Sequence, residues 1–189
     1  MRIGILALQG AFAEHQSILD SLGVHAVLVR ASADLQNLDG LILPGGESTS
    51  MRRLAGLNGL DAALKAYAAS HSVWGVCAGM ILMAAEIEDE EPFLGCLDIT
   101  VNRNAYGRQQ DSFVAQVRVA EIAEPEQPVC AIFIRAPRIA ARGTSVRILA
   151  QHNGEAVAVR QGRLIATAFH PELTRDTRMH RLFLEMCGA

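Results

Sequence analysis

A cysteine between two glycines is the strongest chemical signal in this sequence. The segment 75–79 reads Gly-Val-Cys-Ala-Gly and lies where a buried strand pattern gives way to a helical pattern. This is typical of a nucleophile elbow, a sharp turn that needs small residues on both sides of the nucleophile. The turn would place Cys77 at a helix N-terminus, which favours the thiolate, and would direct the Ala78 N–H at an oxyanion beside the sulfur. The alternative interpretation is a buried structural cysteine, the commoner role of a free thiol.

A histidine and a glutamate two residues apart form the second signal. The segment His170-Pro171-Glu172 follows the apolar run 164–169, so it lies at the end of a predicted strand. Because side chains i and i+2 of an extended chain face the same way, we expect His170 and Glu172 to reach one site. An imidazole oriented by a carboxylate next to a thiol is the arrangement of a nucleophilic triad. A surface His-Pro turn followed by a glutamate in the first turn of a helix is an equally simple interpretation.

A glycine-rich loop follows another buried strand pattern. Residues 43–50 read Leu-Pro-Gly-Gly-Glu-Ser-Thr-Ser. Paired glycines permit close approach of the backbone to a ligand, and the next helix offers N–H donors to a carboxylate or an oxyanion. The Gly-Lys-Ser/Thr ending of a phosphate-binding loop is missing. The alternative is a plain turn in which Ser48 or Thr49 caps the helix.

These segments need a fold that brings distant parts of the chain together. In the first half, apolar runs alternate with helical patterns, which predicts a parallel sheet with right-handed crossovers. In the second half, an Asn-Gly pair at 153–154 predicts a hairpin, and apolar residues at 179, 182, 183 and 186 predict a last helix. We therefore predict an α/β fold: a three-layer sandwich with a mostly parallel central sheet flanked by helices, and antiparallel strands in the C-terminal half.

Length and composition limit the functional classes. A chain of 189 residues is expected to form a single domain over residues 1–189. The formal net charge of −3 argues against a nucleic-acid or anionic-membrane binder. The apolar runs are too short to span a membrane, and no export segment is visible, so we expect a cytoplasmic protein.

The remaining cysteines, histidines and acidic residues give no further motif. The four cysteines contain no Cys-x-x-Cys pair, so we expect reduced thiols, no metal site and no cofactor. The other histidines show no ligand spacing, and we interpret them as surface or core residues. The acidic run 86–91 is most simply a solvated loop.

The order of the three signals resembles that of the triad-type, class I glutamine amidotransferases. Further segments resemble the family of glutaminase subunits of pyridoxal 5'-phosphate synthase (the PdxT/SNO family), nearly to the C-terminus. They are Leu8-Gln9-Gly10-Ala11, Glu14-His15, Leu43 to Thr49, Gly75 to Gly79, Arg103-Asn104, Gly107-Arg108-Gln109, Asp111-Ser112-Phe113, Phe133 to Pro137, His152-Asn153-Gly154 and Phe169 to Thr174. The Gly-Gly-Glu-Ser-Thr and Ile-Arg-Ala-Pro segments are specific to this family.

The resemblance implies an enzyme that hydrolyses L-glutamine to L-glutamate and ammonia. It implies docking on a barrel-shaped synthase subunit, which uses the ammonia to build pyridoxal phosphate. Carried over residue by residue, it makes Cys77 the nucleophile, His170 the base and then acid, and Glu172 the orienting carboxylate. The implied glutamine contacts are Gly46, Glu47, Ser48, Arg103, Ile134 and Arg135, and the implied oxyanion donors are the backbone amides of Gly46 and Ala78.

Two other functions fit the same residues. The chain could be the amidotransferase subunit of another synthase, such as the one that makes imidazole glycerol phosphate, since the triad fits it equally well. It could also be a catalytically silent binding subunit of the same fold. The intact set of Cys77, His170 and Glu172 argues against the silent subunit.

Overall fold

The computed structural model describes residues 1–103 and 112–188. In these ranges the strands are β1 (Arg2–Leu6), β2 (His25–Val29), β3 (Gly40–Leu43), β4 (Ser72–Val76), β5 (Ala84–Ile87), β6 (Leu97–Asn102), β7 (Ser112–Val117), β8 (Val129–Ile134), β9 (Arg138–Arg142), β10 (Arg147–His152), β11 (Glu155–Gln161) and β12 (Leu164–Thr167). The α-helices are α1 (Phe12–Ser21), α2 (Ser48–Leu57), α3 (Asp61–Ala68), α4 (Ala78–Met83) and α5 (Arg178–Gly188).

The main sheet has seven strands in the order β10-β11-β12-β4-β3-β1-β2. The pairs from β12 to β2 are parallel, whereas β10, β11 and β12 pair antiparallel. The β10–β11 hairpin turns at Asn153 and Gly154, whose φ values are 50° and 81°. The predicted Asn-Gly hairpin and the mostly parallel sheet are therefore both confirmed.

Helices cover both faces of this sheet. Successive residues of a strand face opposite sides, and every residue of β4 is buried. The ring of Trp74 contacts His15 in α1 and Phe183 in α5, whereas Gly75 faces Met83 in α4. Helices α1 and α5 thus lie on one face and α4 lies on the other, as the three-layer prediction requires.

The carboxyl ends of the parallel strands form the edge at which the candidate site lies. Strands β1, β3, β4 and β12 lead directly into the loops that carry the chemical signals of the sequence. Ligands of open parallel sheets generally bind at this edge. Two small sheets, β5-β6-β9 and β7-β8, add to the site, since Arg103 follows β6 and Ile134 ends β8.

No helix within residues 1–103 and 112–188 combines the length and the apolar character needed to cross a membrane.

Candidate active site

Cys77 lies in a sharp turn between β4 and α4, as the Gly-x-Cys-x-Gly pattern predicts. Its φ is 49°, a strained value for a residue with a side chain, and its N–H donates to the Thr167 carbonyl at 2.8 Å. A Cβ on Gly75 would lie 2.6 Å from the backbone of Gly79, and a Cβ on Gly79 would lie 1.9 Å from the Leu43 carbonyl oxygen. Both glycines are therefore needed for α4 to pack against β3 and β4.

Replacing Gly79 with alanine should destabilise the fold around the cysteine. The added methyl meets a backbone carbonyl of β3, which cannot move without disturbing the sheet, so we expect a loss of about 1–3 kcal/mol. The matched control is Gly56→Ala in α2, where a Cβ would meet nothing within 4 Å. This control should gain roughly 0.5–1 kcal/mol. Urea denaturation compares the two, and a Gly79→Ala protein as stable as the control would contradict the packing.

Three contacts hold the imidazole of His170 beside Cys77. The backbone N–H of His170 donates to the carbonyl of Ile132 at 2.8 Å, and Nδ1 of the imidazole lies 2.7 Å from Oε1 of Glu172. The ring packs on Gly45, where a Cβ would lie 2.3 Å from Cε1 of the imidazole. Burial lowers the pKa of His170, but hydrogen bonds with Cys77 and Glu172, together with their negative charge, outweigh it and raise the pKa above its ordinary value.

Glu172 reaches the imidazole through a tight turn. Strand β12 ends at Thr167, and Pro171–Leu173 form a 3-10 helix in which Glu172 is buried. The expectation of an extended chain was wrong here, although the two side chains do meet. The turn also buries both groups, so the alternative of a surface His-Pro turn does not apply.

A cavity of about 460 Å³ opens beside the cysteine. All but one of the residues expected at the site line it; Glu172 instead lies behind the imidazole. The expected residues in its wall are Gly46, Glu47, Ser48, Cys77, Ala78, Arg103, Ile134, Arg135 and His170. Even these expected residues come from five separate stretches of chain, which meet at the cavity.

Glu47 caps α2 and pairs with an arginine across the cavity. Its carboxylate accepts from the N–H groups of Thr49 and Ser50 at 3.0 and 2.7 Å. Burial raises the pKa of Glu47, but hydrogen bonds from Ser50 and Thr49 outweigh it and lower the pKa to about 2. Arg103 donates to Glu47 at 3.3 Å and to Thr49 Oγ1 at 3.2 Å. The alternative of Ser48 or Thr49 as the helix cap is therefore wrong.

The acidic run 86–91 contacts residues around the cavity. Arg103 also pairs with Glu90, which in turn contacts Arg52 at 3.4 Å, and Glu86 lies in β5 and accepts from Thr100. The solvated-loop interpretation of this run is right in that its acidic residues are all exposed, and wrong in that residues 86–87 belong to β5 and Glu90 is paired. Its charge pattern alone could not show the pairing, since the partners are distant in sequence. Of the residues on which the resemblance drew, Asn104, Gly107 to Gln109 and Asp111 lie outside the described ranges.

The loop after β1 holds the Gly-Gly loop in place. Gln9 Oε1 accepts from the Glu47 N–H at 2.7 Å, and the Ala11 N–H donates to the Gly45 carbonyl at 2.9 Å. Gly10 has a φ of 101°, and a Cβ there would lie 2.0 Å from the Gly45 oxygen. These three residues of the first loop also line the cavity, and reasoning from single motifs gave them no role.

The opposite wall comes from the end of β8. The Ile134 carbonyl lies 3.9 Å from Sγ of Cys77, and Arg135 has a φ of 43° at the turn that follows. Ser48 lies across the cavity with a buried hydroxyl that has no hydrogen-bond partner among the described residues. An unpaired buried hydroxyl is costly, so this one is suited to a polar ligand.

Two buried histidines lie behind the triad-like group. His15 in α1 and His180 in α5 are both fully buried, with Nδ1 of His15 3.0 Å from Nε2 of His180. Burial, with the neighbouring His180 and His170, lowers the pKa of His15 well below its ordinary value, and burial lowers the pKa of His180 to about 4. Of the two interpretations left open for these histidines, the core position is the one observed.

Acid should destabilise the fold through this pair. The unfolded chain binds more protons than the folded chain between roughly pH 6.5 and the lowered folded pKa values. Stability is therefore complete above about pH 6.5 and is lost as the pH falls through this window. For His180, with a folded pKa of about 4, the loss is roughly 3 kcal/mol.

Thermal melts of His180→Phe between pH 7 and 4.5 measure this contribution. The melting temperature of the variant should fall less steeply than that of the wild type, whatever its value at neutral pH. The matched control is His25→Phe at an exposed position of β2, which should keep the wild-type slope. Parallel curves for wild type and His180→Phe would contradict the buried neutral pair.

Comparison with known proteins places the chain in a family. The model of the SNO glutamine amidotransferase family matches residues 5–189. This chain belongs to the SNO glutamine amidotransferase family. The predicted family is therefore confirmed.

Relatives of this SNO-family chain match it along its whole length. A protein of Oenococcus oeni named pyridoxal 5'-phosphate synthase subunit PdxT is 50% identical over 187 residues, covering 98% of this chain and 96% of the relative. A protein of the same name from Deinococcus radiodurans is 50% identical over 195 aligned positions, covering 100% and 98%. A crystal structure described as a glutamine amidotransferase superposes with a TM-score of 0.92 at 42% identity, covering 99% of each chain.

Proposed function

We propose that this chain is the glutaminase subunit of a pyridoxal 5'-phosphate synthase, acting as one domain over residues 1–189. The observation that carries the proposal is that Cys77 and His170 line the same cavity, with Nδ1 of His170 2.7 Å from Oε1 of the buried Glu172 behind it. A thiol, an imidazole and a carboxylate in this order are the groups that covalent acyl transfer needs. The relatives named as subunits of that synthase support the choice of pathway.

The first half-reaction forms a thioester on Cys77. The sulfur, whose proton His170 has taken, attacks the side-chain amide carbon of L-glutamine and forms a tetrahedral oxyanion. As the carbon–nitrogen bond breaks, the imidazolium of His170 gives its proton to the departing nitrogen, which leaves as ammonia. The raised pKa of His170 suits it to hold that proton until the bond breaks.

The second half-reaction releases L-glutamate. His170, now neutral, takes a proton from a water molecule as that water attacks the thioester carbon. The carbon–sulfur bond then breaks, the thiolate of Cys77 is restored, and the imidazolium keeps the proton for the next cycle. Glu172 holds Nδ1 of the imidazole throughout, so that Nε2 stays directed at the reacting atoms.

Two backbone amides are proposed to stabilise both oxyanions. The Ala78 N–H follows the nucleophile at the start of α4, and Gly46 lines the same cavity. The Gly45 carbonyl is bound by the Ala11 N–H, and a peptide N–H points opposite to its carbonyl, so the Gly46 N–H points away from Ala11. Loss of one such donor costs roughly 10²–10³ in rate.

Charged and polar groups in the cavity wall match the amino-acid end of glutamine. Glu47 offers a carboxylate to the substrate ammonium, and Arg103 and Arg135 offer guanidinium groups to its carboxylate. The unpaired hydroxyl of Ser48 and the backbone of Ile134 complete the proposed contacts. These groups lie at the ends of different strands, at fixed positions around the cavity. Their positions therefore limit the length of a ligand that can bind them and still reach the sulfur.

Glycine at positions 45 and 46 suggests a switch controlled by the partner. The peptide group between two glycines can flip with little steric cost, and the flipped peptide would point the Gly46 N–H away from the oxyanion. We propose that docking of the barrel-shaped synthase subunit turns the Gly46 N–H towards the oxyanion. The free subunit would then lack this donor and would not waste glutamine. Equal ammonia release by the isolated chain and by the complex would contradict the switch.

Co-purification with a candidate barrel synthase, followed by an assay of pyridoxal phosphate formation, tests the function. The complex should form the product with glutamine as the nitrogen source, whereas the synthase alone should need added ammonium. Ammonium with the synthase alone is the control for an active partner. A complex that uses ammonium but never glutamine would overturn the proposed function.

A further inference from the structure

One oxygen of the buried Glu172 carboxylate has no hydrogen-bond partner among the described residues. Oε1 lies 2.7 Å from Nδ1 of His170, but Oε2 has no partner, and the carboxylate is fully buried. A buried ionised oxygen without a donor is costly, so a neighbouring group is expected to compensate it.

His15 lies opposite that oxygen. Its Nε2 is 3.7 Å from Oε2 of Glu172, and both side chains are completely shielded from solvent. This distance is longer than a hydrogen bond, so the contact is electrostatic, and a shift of about half an ångström would close it into one. Nε2 of His15 also has no other hydrogen-bond partner among the described residues, so the two unsatisfied atoms face each other.

The contact on the other side of the ring decides which nitrogen of His15 carries the proton. Both histidines are neutral at physiological pH, because burial holds the pKa of each low, so each ring has one N–H. If Nδ1 of His15 carried the proton, a nitrogen lone pair would face the carboxylate, which is repulsive. The favoured arrangement is that Nε2–H of His180 donates to Nδ1 of His15 at 3.0 Å and that Nε2–H of His15 points at Glu172.

This arrangement also accounts for the remaining unsatisfied atom. It leaves Nδ1 of His180 as a lone pair without a partner, and that atom is indeed unpaired among the described residues. Trp74 fixes both rings by edge contacts, with centroid distances of 5.6 Å to His15 and 4.9 Å to His180. Its own indole N–H is satisfied by Thr167 at 3.3 Å, so it does not compete for the imidazole nitrogens.

We propose that His15 is a positioning residue for the glutaminase reaction, acting through Glu172 and set in its tautomer by His180. The N–H groups then point in one direction, from His180 to His15, to Glu172, with His170 donating to the same carboxylate from the other side. His15 does not line the cavity, so it does not touch the substrate. It holds the carboxylate in the rotamer that orients the imidazole.

His15 also connects this chain of contacts to the Gly-Gly loop. It lies in the first turns of α1, directly after the loop whose Ala11 N–H holds the Gly45 carbonyl. The proposed oxyanion donor and the proposed positioning residue therefore belong to one short, connected stretch. A movement of α1 would alter both together.

The test compares two replacements of nearly equal shape. His15→Gln keeps an N–H donor at about the distance of the imidazole Nε2, whereas His15→Met fills similar space without one. Each variant is assayed for glutaminase activity in complex with the barrel synthase, and rates are normalised to the fraction of the chain that co-elutes with the synthase in size-exclusion chromatography. This normalisation removes any misfolded protein from the comparison.

The N–H donor at position 15, and not the packing of that side chain, should determine kcat. For His15→Met we expect kcat to fall roughly 10–100-fold with KM unchanged, because the buried carboxylate oxygen of Glu172 then loses the N–H group that faces it. His15→Gln should recover most of the wild-type kcat. Phe183→Leu, which thins the packing behind Trp74 but leaves both imidazoles and their contacts with Trp74 in place, should lower the melting temperature without lowering the normalised kcat. Equal normalised kcat for the Gln and Met variants would overturn the proposal.

A second variant is used if His15→Met yields no folded complex. His180→Leu removes the group that sets the tautomer of His15, so normalised kcat should fall several-fold at unchanged KM, and an unchanged kcat would overturn the proposal. The inference rests on the proposed function, and the wild-type complex separates the two. An inactive wild-type complex would contradict the proposed glutaminase function. An active wild-type complex whose variants keep the wild-type kcat would contradict only the proposed role of His15.

Discussion

Replacing Cys77 with alanine should abolish glutamine-dependent ammonia release while the protein still folds. Loss of a covalent nucleophile lowers kcat by on the order of 10⁶-fold. Alanine keeps the Cβ, so the strained φ of 49° is unchanged and no new clash arises. The cost in stability should be about 1 kcal/mol, since a single buried sulfur is removed.

The measurement for Cys77→Ala is ammonia release by the complex, with a thermal melt of the isolated chain. The matched control is Cys96→Ala, which removes a half-buried thiol that contacts the Met83 carbonyl, away from the cavity. The control should retain full activity. Appreciable activity in Cys77→Ala, or equal losses in both variants, would contradict a thioester on Cys77.

Replacing Glu172 with glutamine should give the second largest loss. A neutral amide in place of the carboxylate no longer fixes the tautomer of His170, and the equivalent change in a serine triad costs ~10⁴-fold in kcat. KM should change little, because Glu172 lies behind the imidazole and does not line the cavity. The loss should therefore fall on kcat.

The Glu172→Gln substitution should shift the pH profile of activity in one definite direction. Hydrogen bonding and negative charge from Glu172 help to raise the pKa of His170, so the imidazolium persists to alkaline pH in the wild type. Without that charge the pKa of His170 falls, and the alkaline limb of the activity profile moves to lower pH. Glu185→Gln, at an exposed position of α5, is the control for the loss of one negative charge. A variant whose alkaline limb stays in place would contradict the coupling.

Local patterns predict the turn at the nucleophile and the sheet beneath it. The apolar runs of β1 and β4 reflect burial on both faces, and the glycines at 75 and 79 reflect a close contact between α4 and β3. The Asn-Gly pair at 153–154 fixes the hairpin because both residues adopt positive φ. Each of these features requires particular residue types within one short segment, so the sequence pattern is sufficient to predict it.

Contacts between distant segments could not be predicted in this way. Glu47 caps α2 because the loop from Gln9 holds its backbone, and Glu90 pairs with Arg103 because β5 and β6 lie side by side. Neither fact leaves a trace in local spacing. The same holds for His15 and His180, which are 165 positions apart and meet only when α1 and α5 pack on Trp74.

Labelling the complex with a glutamine-analogue alkylating agent tests whether glutamine reacts at Cys77. We expect one added mass per chain, located by peptide mass spectrometry on Cys77, prevented by excess glutamine and much reduced in Glu172→Gln. The other cysteines, at 96, 130 and 187, should stay unlabelled. A complex that gains no mass, or gains it on one of those three, would show that the cavity beside Cys77 is not where glutamine reacts.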